Sequence, residues 1–115
     1  SGQIQVELKI DESTSNWPTK KETEVSIYRI IQEILGNIIK HSKTDKVLME
    51  IKSLEQFIQI KIIDNGVGFN MNKMDESKGI GWKNIFARIK LINGDFKVQS
   101  EKNKGSQFYI NIPTL

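Results

Sequence analysis

The chain has 115 residues, of which 37% are hydrophobic and 27% charged, with a formal net charge of +3 and no cysteine. A chain of this size builds one domain and leaves no room for two, and its balance of apolar and charged residues is that of a folded soluble domain rather than a disordered one. The lack of cysteine removes disulfides and thiolate metal centres and fits a reducing cytoplasm. No apolar run approaches the ~20 residues needed to cross a bilayer, and no signal peptide is visible. Lys40, Lys43, Lys46, Lys73, Lys78, Lys83, Lys102 and Lys104 are interleaved with acids. That describes a solvated surface, whereas a nucleic-acid partner needs a denser basic patch. Ser1-Gly2 reads as the remnant of a removed tag, so residues 3–115 are taken as a single domain.

The elements follow in chain order. Ile4, Val6, Leu8 and Ile10 alternate with Gln5, Glu7 and Lys9, which predicts a half-buried strand over Gln3–Ile10. The polar stretch Asp11–Lys20 contains Pro18 and is expected to be a loop. Thr23 offers a helix N-cap, and a helix is expected from there to about His41, with Ile27, Tyr28, Ile31, Ile34, Leu35 and Ile38 as its core stripe. Ser42–Asp45 is a turn. A strand through Val47, Met49 and Ile51 and a strand over Phe57–Asp64 form a hairpin across a short gap. Asn65–Lys78 has no periodicity. A second helix runs from about Trp82 to Ile92 and stops at Asn93-Gly94. Two strands close the chain, the first through Phe96 and Val98 and the second through Phe108, Ile110 and Ile112, with a turn over Lys102–Gly105. This order predicts a two-layer α/β sandwich: a mixed, mostly antiparallel sheet with helices on one face.

Four constellations could carry chemistry. Glu33, Asn37, Lys40 and His41 share a helix sector of roughly 100°, with the apolar stripe expected opposite. An amide oxygen is a hard ligand suited to Mg²⁺, and an ammonium can neutralise phosphate. Taken alone, a solvated helix face explains this row better. The second constellation is Asp64-Asn65-Gly66-Val67-Gly68-Phe69. Asp64 shares parity with Ile58, Ile60 and Ile62, so its carboxylate should point inward, where it needs a hydrogen-bonding partner such as a ligand amine. A hairpin turn is the plain alternative. The third is Gly79-Ile80-Gly81-Trp82-Lys83-Asn84, two glycines opening a helix whose free N–H groups suit phosphate. It has neither Walker nor Rossmann spacing. The fourth is Gly105-Ser106, a pocket floor or equally a tight turn.

Each motif is modest, but their order is specific. Gln32–His41, Asp64–Phe69, Gly79–Ile85 and Lys104–Phe108 resemble the N box, G1 box, G2 box and terminal glycine–Ser/Thr segment of the GHKL ATPase superfamily. The resemblance covers about Val25 to Pro113. Tyr28–Glu33 and Asn84–Arg88 look like the bacterial sensor histidine kinases of the nitrate- and membrane-fluidity-sensing type.

The resemblance implies a Bergerat-type ATP-binding fold. It implies that Asn37 binds Mg²⁺ bridging the ATP phosphates, and that Glu33 serves as the catalytic acidic residue. Lys40 and His41 would lie near the phosphates, Asp64 would accept from the adenine amino group, and Gly66 and Gly68 would shape the adenine pocket. Gly79 and Gly81 would hinge a short lid over Asn70–Lys78, and Ser106 would support the adenine end. The implied partners are a dimerisation domain carrying the phospho-accepting histidine and a response regulator. The parent would be a homodimer anchored in the bacterial membrane, with this domain on the cytoplasmic side. His41 belongs to the N box and is not expected to be the phospho-acceptor. Gly36 stands where Thr or Ser is usual and Trp82 where Leu is usual; neither removes a ligand. The alternatives are a GHKL ATP hydrolase in which Glu33 activates water, an anti-sigma serine kinase, and a degenerate domain used as a binding module.

Overall fold

Alternating apolar residues in five segments assemble into one sheet. The computed structural model describes residues 4–11, 20–41, 43–54, 56–68 and 82–113. The elements are β1 (Gln5–Ile10), α1 (Lys21–His41), β2 (Lys46–Ser53), β3 (Phe57–Asp64), α2 (Trp82–Leu91), β4 (Asp95–Ser100) and β5 (Ser106–Pro113). The strand order is β1-β2-β3-β5-β4. β1 runs parallel to β2 through the α1 crossover, and every other pairing is antiparallel. The expected mixed, mostly antiparallel two-layer architecture is the observed one.

One face of the sheet carries the core. Val47, Met49 and Ile51 of β2, Ile58, Ile60 and Ile62 of β3, and Phe108, Ile110 and Ile112 of β5 are all buried. They meet Ile27, Ile30, Ile34 and Ile38 of α1 and Ile85 and Ile89 of α2 in a single cluster. The pairing stacks these residues in rows, for example Met49–Ile62–Phe108–Val98 and Ile51–Ile60–Ile110–Phe96. The opposite face is mostly polar, with Leu48 and Ile63 paired on it. There Gln59 Nε2 donates to Asn111 Oδ1 at 3.2 Å, and the Lys61 ammonium lies 5.7 Å from the centre of the Tyr109 ring. An antiparallel sheet with one solvated face produces the clean alternation seen in the sequence.

Three local expectations change. β1 has the expected parity, because its parallel register puts Val6, Leu8 and Ile10 beside Val47, Met49 and Ile51. Yet those three residues are 52%, 53% and 56% exposed, so the strand is not half-buried. An edge strand is covered only if the helix layer reaches it, and among the described residues the buried core stops at β2. α1 starts at Lys21, with Glu24 N–H donating to Lys20 O at 3.1 Å, so Thr23 lies inside the helix rather than capping it. The helix is also rotated from the expected stripe. Ile30 is buried, Ile31 and Leu35 only edge the core, and Tyr28 is 65% exposed.

Gly36 sits in the interior of α1, and a Cβ built there meets nothing within 4 Å. Gly36→Ala should therefore stabilise the fold by about 0.5–1 kcal/mol, seen as a rise of a few degrees in the thermal midpoint. A fall in the midpoint would show that the position is filled in the native state.

Candidate functional site

The site begins where the isoleucine ladder of β3 turns polar. Asp64 follows Ile58, Ile60 and Ile62 in parity and is only 3% exposed, as its position in the alternation predicts. Its Oδ1 accepts the Gly66 N–H at 2.8 Å. Gly66 thus contributes a backbone donor to the carboxylate besides any role in turning the chain. The sheet register sets Asp64 between Val47 and Ser106, with Ser100 beyond, so the last row of the core face reads Val47–Asp64–Ser106–Ser100. Ser106 is 1% exposed, and its Oγ lies 2.9 Å from Ser100 Oγ. Asp64 and Ser106, 42 positions apart in the numbering, are direct cross-strand partners.

Two glycines pack the β4–β5 turn against this row. Gly105 has φ +81°, and a Cβ there would collide with the carbonyl oxygen of Asp64 and stand 3.2 Å from Asn65 Cα. Gly68 has φ +67°, and a Cβ there would collide with the carbonyl of Glu101 and stand 3.0 Å from Gly105 O. Asn103 N–H donates to Val67 O across the same contact. Both positions need glycine for the left-handed backbone and for the close approach. The G1-box loop and the terminal glycine–serine segment are therefore one packed unit.

The helical row divides in two. Glu33 and Asn37 are half-buried, whereas Lys40 and His41 are exposed in the last turn of α1. The row does not lie opposite the core stripe, as expected, but beside it. Ile30 and Ile34 are each roughly 60° around the helix from Glu33 and Asn37 respectively. Glu33 Oε1 accepts from Arg88 Nε of α2 at 3.2 Å. Glu33 Oε2 and Asn37 Nδ2 are buried with no hydrogen-bond partner among the described residues. A carboxylate oxygen and an amide left unmade one helical turn apart suit a hard cation together with an anion that carries further oxygens. No cluster of three or more His, Cys, Asp or Glu suited to a metal occurs among the described residues. Any metal here would draw most of its ligands from a bound anion and water, as Mg²⁺ in phosphate sites does.

A latch not anticipated from the sequence links α1 to the Asp64 loop. Thr44, expected only as part of a turn, is buried. Its Oγ1 bonds Asn65 Oδ1 and accepts the Lys46 N–H at 3.2 Å, while Asn65 Nδ2 donates to Asp45 Oδ1 at 3.2 Å. The end of α1 is thereby tied to the residue after Asp64. A Thr-Asp pair in the turn after α1 was the available signal, but its partner at position 65 is long-range. Gly79 and Gly81, with the expected lid over 70–78, lie outside the described residues.

Residues 22–115 match the family described as histidine kinase-, DNA gyrase B- and HSP90-like ATPases. The chain belongs to this family. It is 31% identical over 112 residues to the sensor protein VraS of Staphylococcus saprophyticus, covering 96% of this chain and 32% of the relative. It is 34% identical over 93 residues to the sensor histidine kinase LiaS of Bacillus subtilis, covering 81% of this chain and 26% of LiaS. The sensor histidine kinase ComP of Bacillus subtilis is 34% identical over 92 residues, covering 79% of this chain and 12% of ComP. The chain thus spans about a third or less of the length of these relatives. The same fold occurs in the histidine kinase domain of the Erythrobacter litoralis EL346 blue-light activated kinase, with a TM-score of 0.75, 19% identity and coverage of 99% of this chain and 53% of that one. It occurs also in the Acinetobacter baumannii histidine kinase AdeS, with a TM-score of 0.77, 19% identity and coverage of 98% and 55%. The chain is thus a GHKL ATPase domain of the kind found in sensor histidine kinases.

The close packing over Asp64 makes a direct forecast. Gly105→Ala should destabilise this histidine kinase-like domain by about 1–3 kcal/mol, through backbone strain and overpacking. Chemical denaturation measures it, and an unchanged midpoint would mean that the β4–β5 turn does not press on Asp64.

Proposed function

We propose that this domain binds Mg²⁺-ATP between α1 and the Asp64 row and, in the full-length protein, passes the γ-phosphoryl group to a histidine on a separate dimerisation domain. The observation that carries this reading is the buried carboxylate of Asp64, aligned with Ser106, with the backbone at Gly105 packed against the Asp64 carbonyl. One oxygen of that carboxylate accepts the Gly66 N–H. A base bearing an exocyclic amine is the ligand such a group selects, because a neutral amine gains a charge-assisted hydrogen bond there. Gly66 and Gly68 shape the adenine side, and Ser106 supports it.

The phosphates lie toward α1. Asn37 is the residue that would hold Mg²⁺, which supplies charge neutralisation between the phosphates when bound. Lys40 and His41, exposed at the end of α1, line the phosphate end, and the family resemblance assigns Gly79 and Gly81, outside the described residues, to the phosphates as well. Glu33 orients metal-bound water or takes part in proton transfer. Catalysis is then chiefly positioning and charge neutralisation. The acceptor histidine, a response regulator that receives the phosphoryl group, and a homodimeric parent anchored in the membrane complete the reading. Residues 3–115 serve as its single cytoplasmic catalytic domain, without a nucleic-acid partner. Among the described residues no helix is long and apolar enough to cross a membrane. A hydrolase in which Glu33 activates water is the competing reading. Hydrolysis of ATP by the isolated domain that Glu33→Ala abolishes would favour it.

Titration calorimetry with Mg²⁺-ATP tests the binding step. Asp64→Asn can keep the contact to the Gly66 N–H through its amide oxygen, yet it presents an amide N–H donor to the adenine amine, which is itself a donor. Affinity should fall by about 10- to 100-fold, as expected for losing a hydrogen bond to a charged group. Equal affinity in wild type and variant would reject the adenine contact. No heat from the wild type with ~mM nucleotide would favour a degenerate binding module.

A further inference from the structure

Arg88 belongs to none of the nucleotide-contacting motifs, yet it touches the acidic residue of the N box. It lies between Ile85 and Ile89, the two residues that α2 buries in the core. Its side chain therefore leaves the helix at the rim of the α1–α2 contact, where Glu33 arrives from the other side. The Nε–H donates to Glu33 Oε1 at 3.2 Å, with the two side chains 34% and 28% exposed. The pairing is one-sided, because Glu33 Oε2 is buried without a hydrogen-bond partner among the described residues. Asn37 Nδ2, one turn further along α1, is in the same condition.

We propose that Arg88 is the positioning residue for Glu33: its Nε–H fixes one carboxylate oxygen and keeps the other turned to the same reaction space as Asn37. The inference rests on the nucleotide-binding reading given above. A glutamate has three side-chain torsions, and a half-buried one with no partner swings toward water. A guanidinium is planar and permanently charged, and it donates from a fixed direction, so a single contact through Nε holds the carboxylate in one orientation. A partly exposed ion pair of this kind contributes little to folding. The consequence of losing it therefore falls on the geometry of Glu33 more than on stability. Arg88 is not itself a catalytic residue here, since nothing places it against the reacting atoms.

The test uses the full-length natural protein and compares Arg88→Met, Arg88→Lys, Glu33→Gln and the double variant Glu33→Gln/Arg88→Met. Mg²⁺-ATP affinity and the single-turnover rate of γ-phosphoryl transfer are measured on the same preparations, with circular dichroism as a folding check. Arg88→Met should lower the rate by about 10- to 100-fold, the size of effect a misplaced catalytic group produces, while affinity stays within about twofold. Arg88→Lys should recover part of the rate. In the Glu33→Gln background, Arg88→Met should cost nothing further. Parallel losses of affinity and rate, an unchanged rate, or an additive loss in the double variant would each overturn the inference. If Arg88→Met fails to fold, the Lys variant decides: its rate must fall with affinity retained. Failure of the wild-type protein to bind nucleotide would instead remove the nucleotide-binding reading on which the inference stands.

Discussion

Burial of a carboxylate at the end of a hydrophobic ladder is the constraint on which the rest of this structure depends. Ile58, Ile60 and Ile62 are fully buried on β3, and Asp64 is the next residue of the same parity. Rotating β3 to bring Asp64 to water would expose all three isoleucines, each worth about 1.5–3 kcal/mol of burial. An unmet buried hydrogen-bonding group costs about 1–3 kcal/mol, so the ladder wins and the carboxylate stays inside. The Gly66 N–H then offsets part of that cost.

The neighbours of Asp64 follow from that position. β5 must deliver Ser106 opposite it, and the β4–β5 turn must come down onto its backbone, which only glycine at 105 permits. Gly68 extends the same contact to Glu101, so the loop after β3 is fastened to the far hairpin. The loop after Asp64 is thus positioned by backbone packing at Gly68 and Gly105 together with the side-chain latch at Asn65. Such a support resists displacement better than hydrogen bonds between exposed side chains would.

α1 supplies the second wall by sitting at the boundary of core and solvent. Its isoleucines anchor it to the sheet, and this leaves Glu33 and Asn37 half-buried beside them. Half-burial strengthens their electrostatics without the full penalty of a dry interior. Thr44 and Arg88 hold the two ends of this arrangement. One ties the helix terminus to Asn65, and the other ties Glu33 to α2.

The element order, the extent of β3, the end of α2 and the inward parity of Asp64 were all legible in the sequence. Each depends on backbone periodicity within a short window, and the isoleucine alternation is unambiguous. The motif order was equally legible and identified the family. What lay out of reach was every relation set by which faces compete for burial. The sequence could show that Val6, Leu8 and Ile10 share a face, but not that the helix layer leaves them uncovered. It could show an apolar stripe on α1, but its rotation, with Ile30 inside and Tyr28 outside, was decided by packing against the sheet. The Asp64–Ser106 pairing, the Thr44–Asn65 latch and the Glu33–Arg88 ion pair join residues 21 to 55 positions apart. Such contacts form only when the whole core closes, because no local backbone preference distinguishes the chosen partner from others of the same type. The sequence by itself therefore determined which chemical groups are present and which way each strand faces, and the tertiary structure alone decided which of them meet.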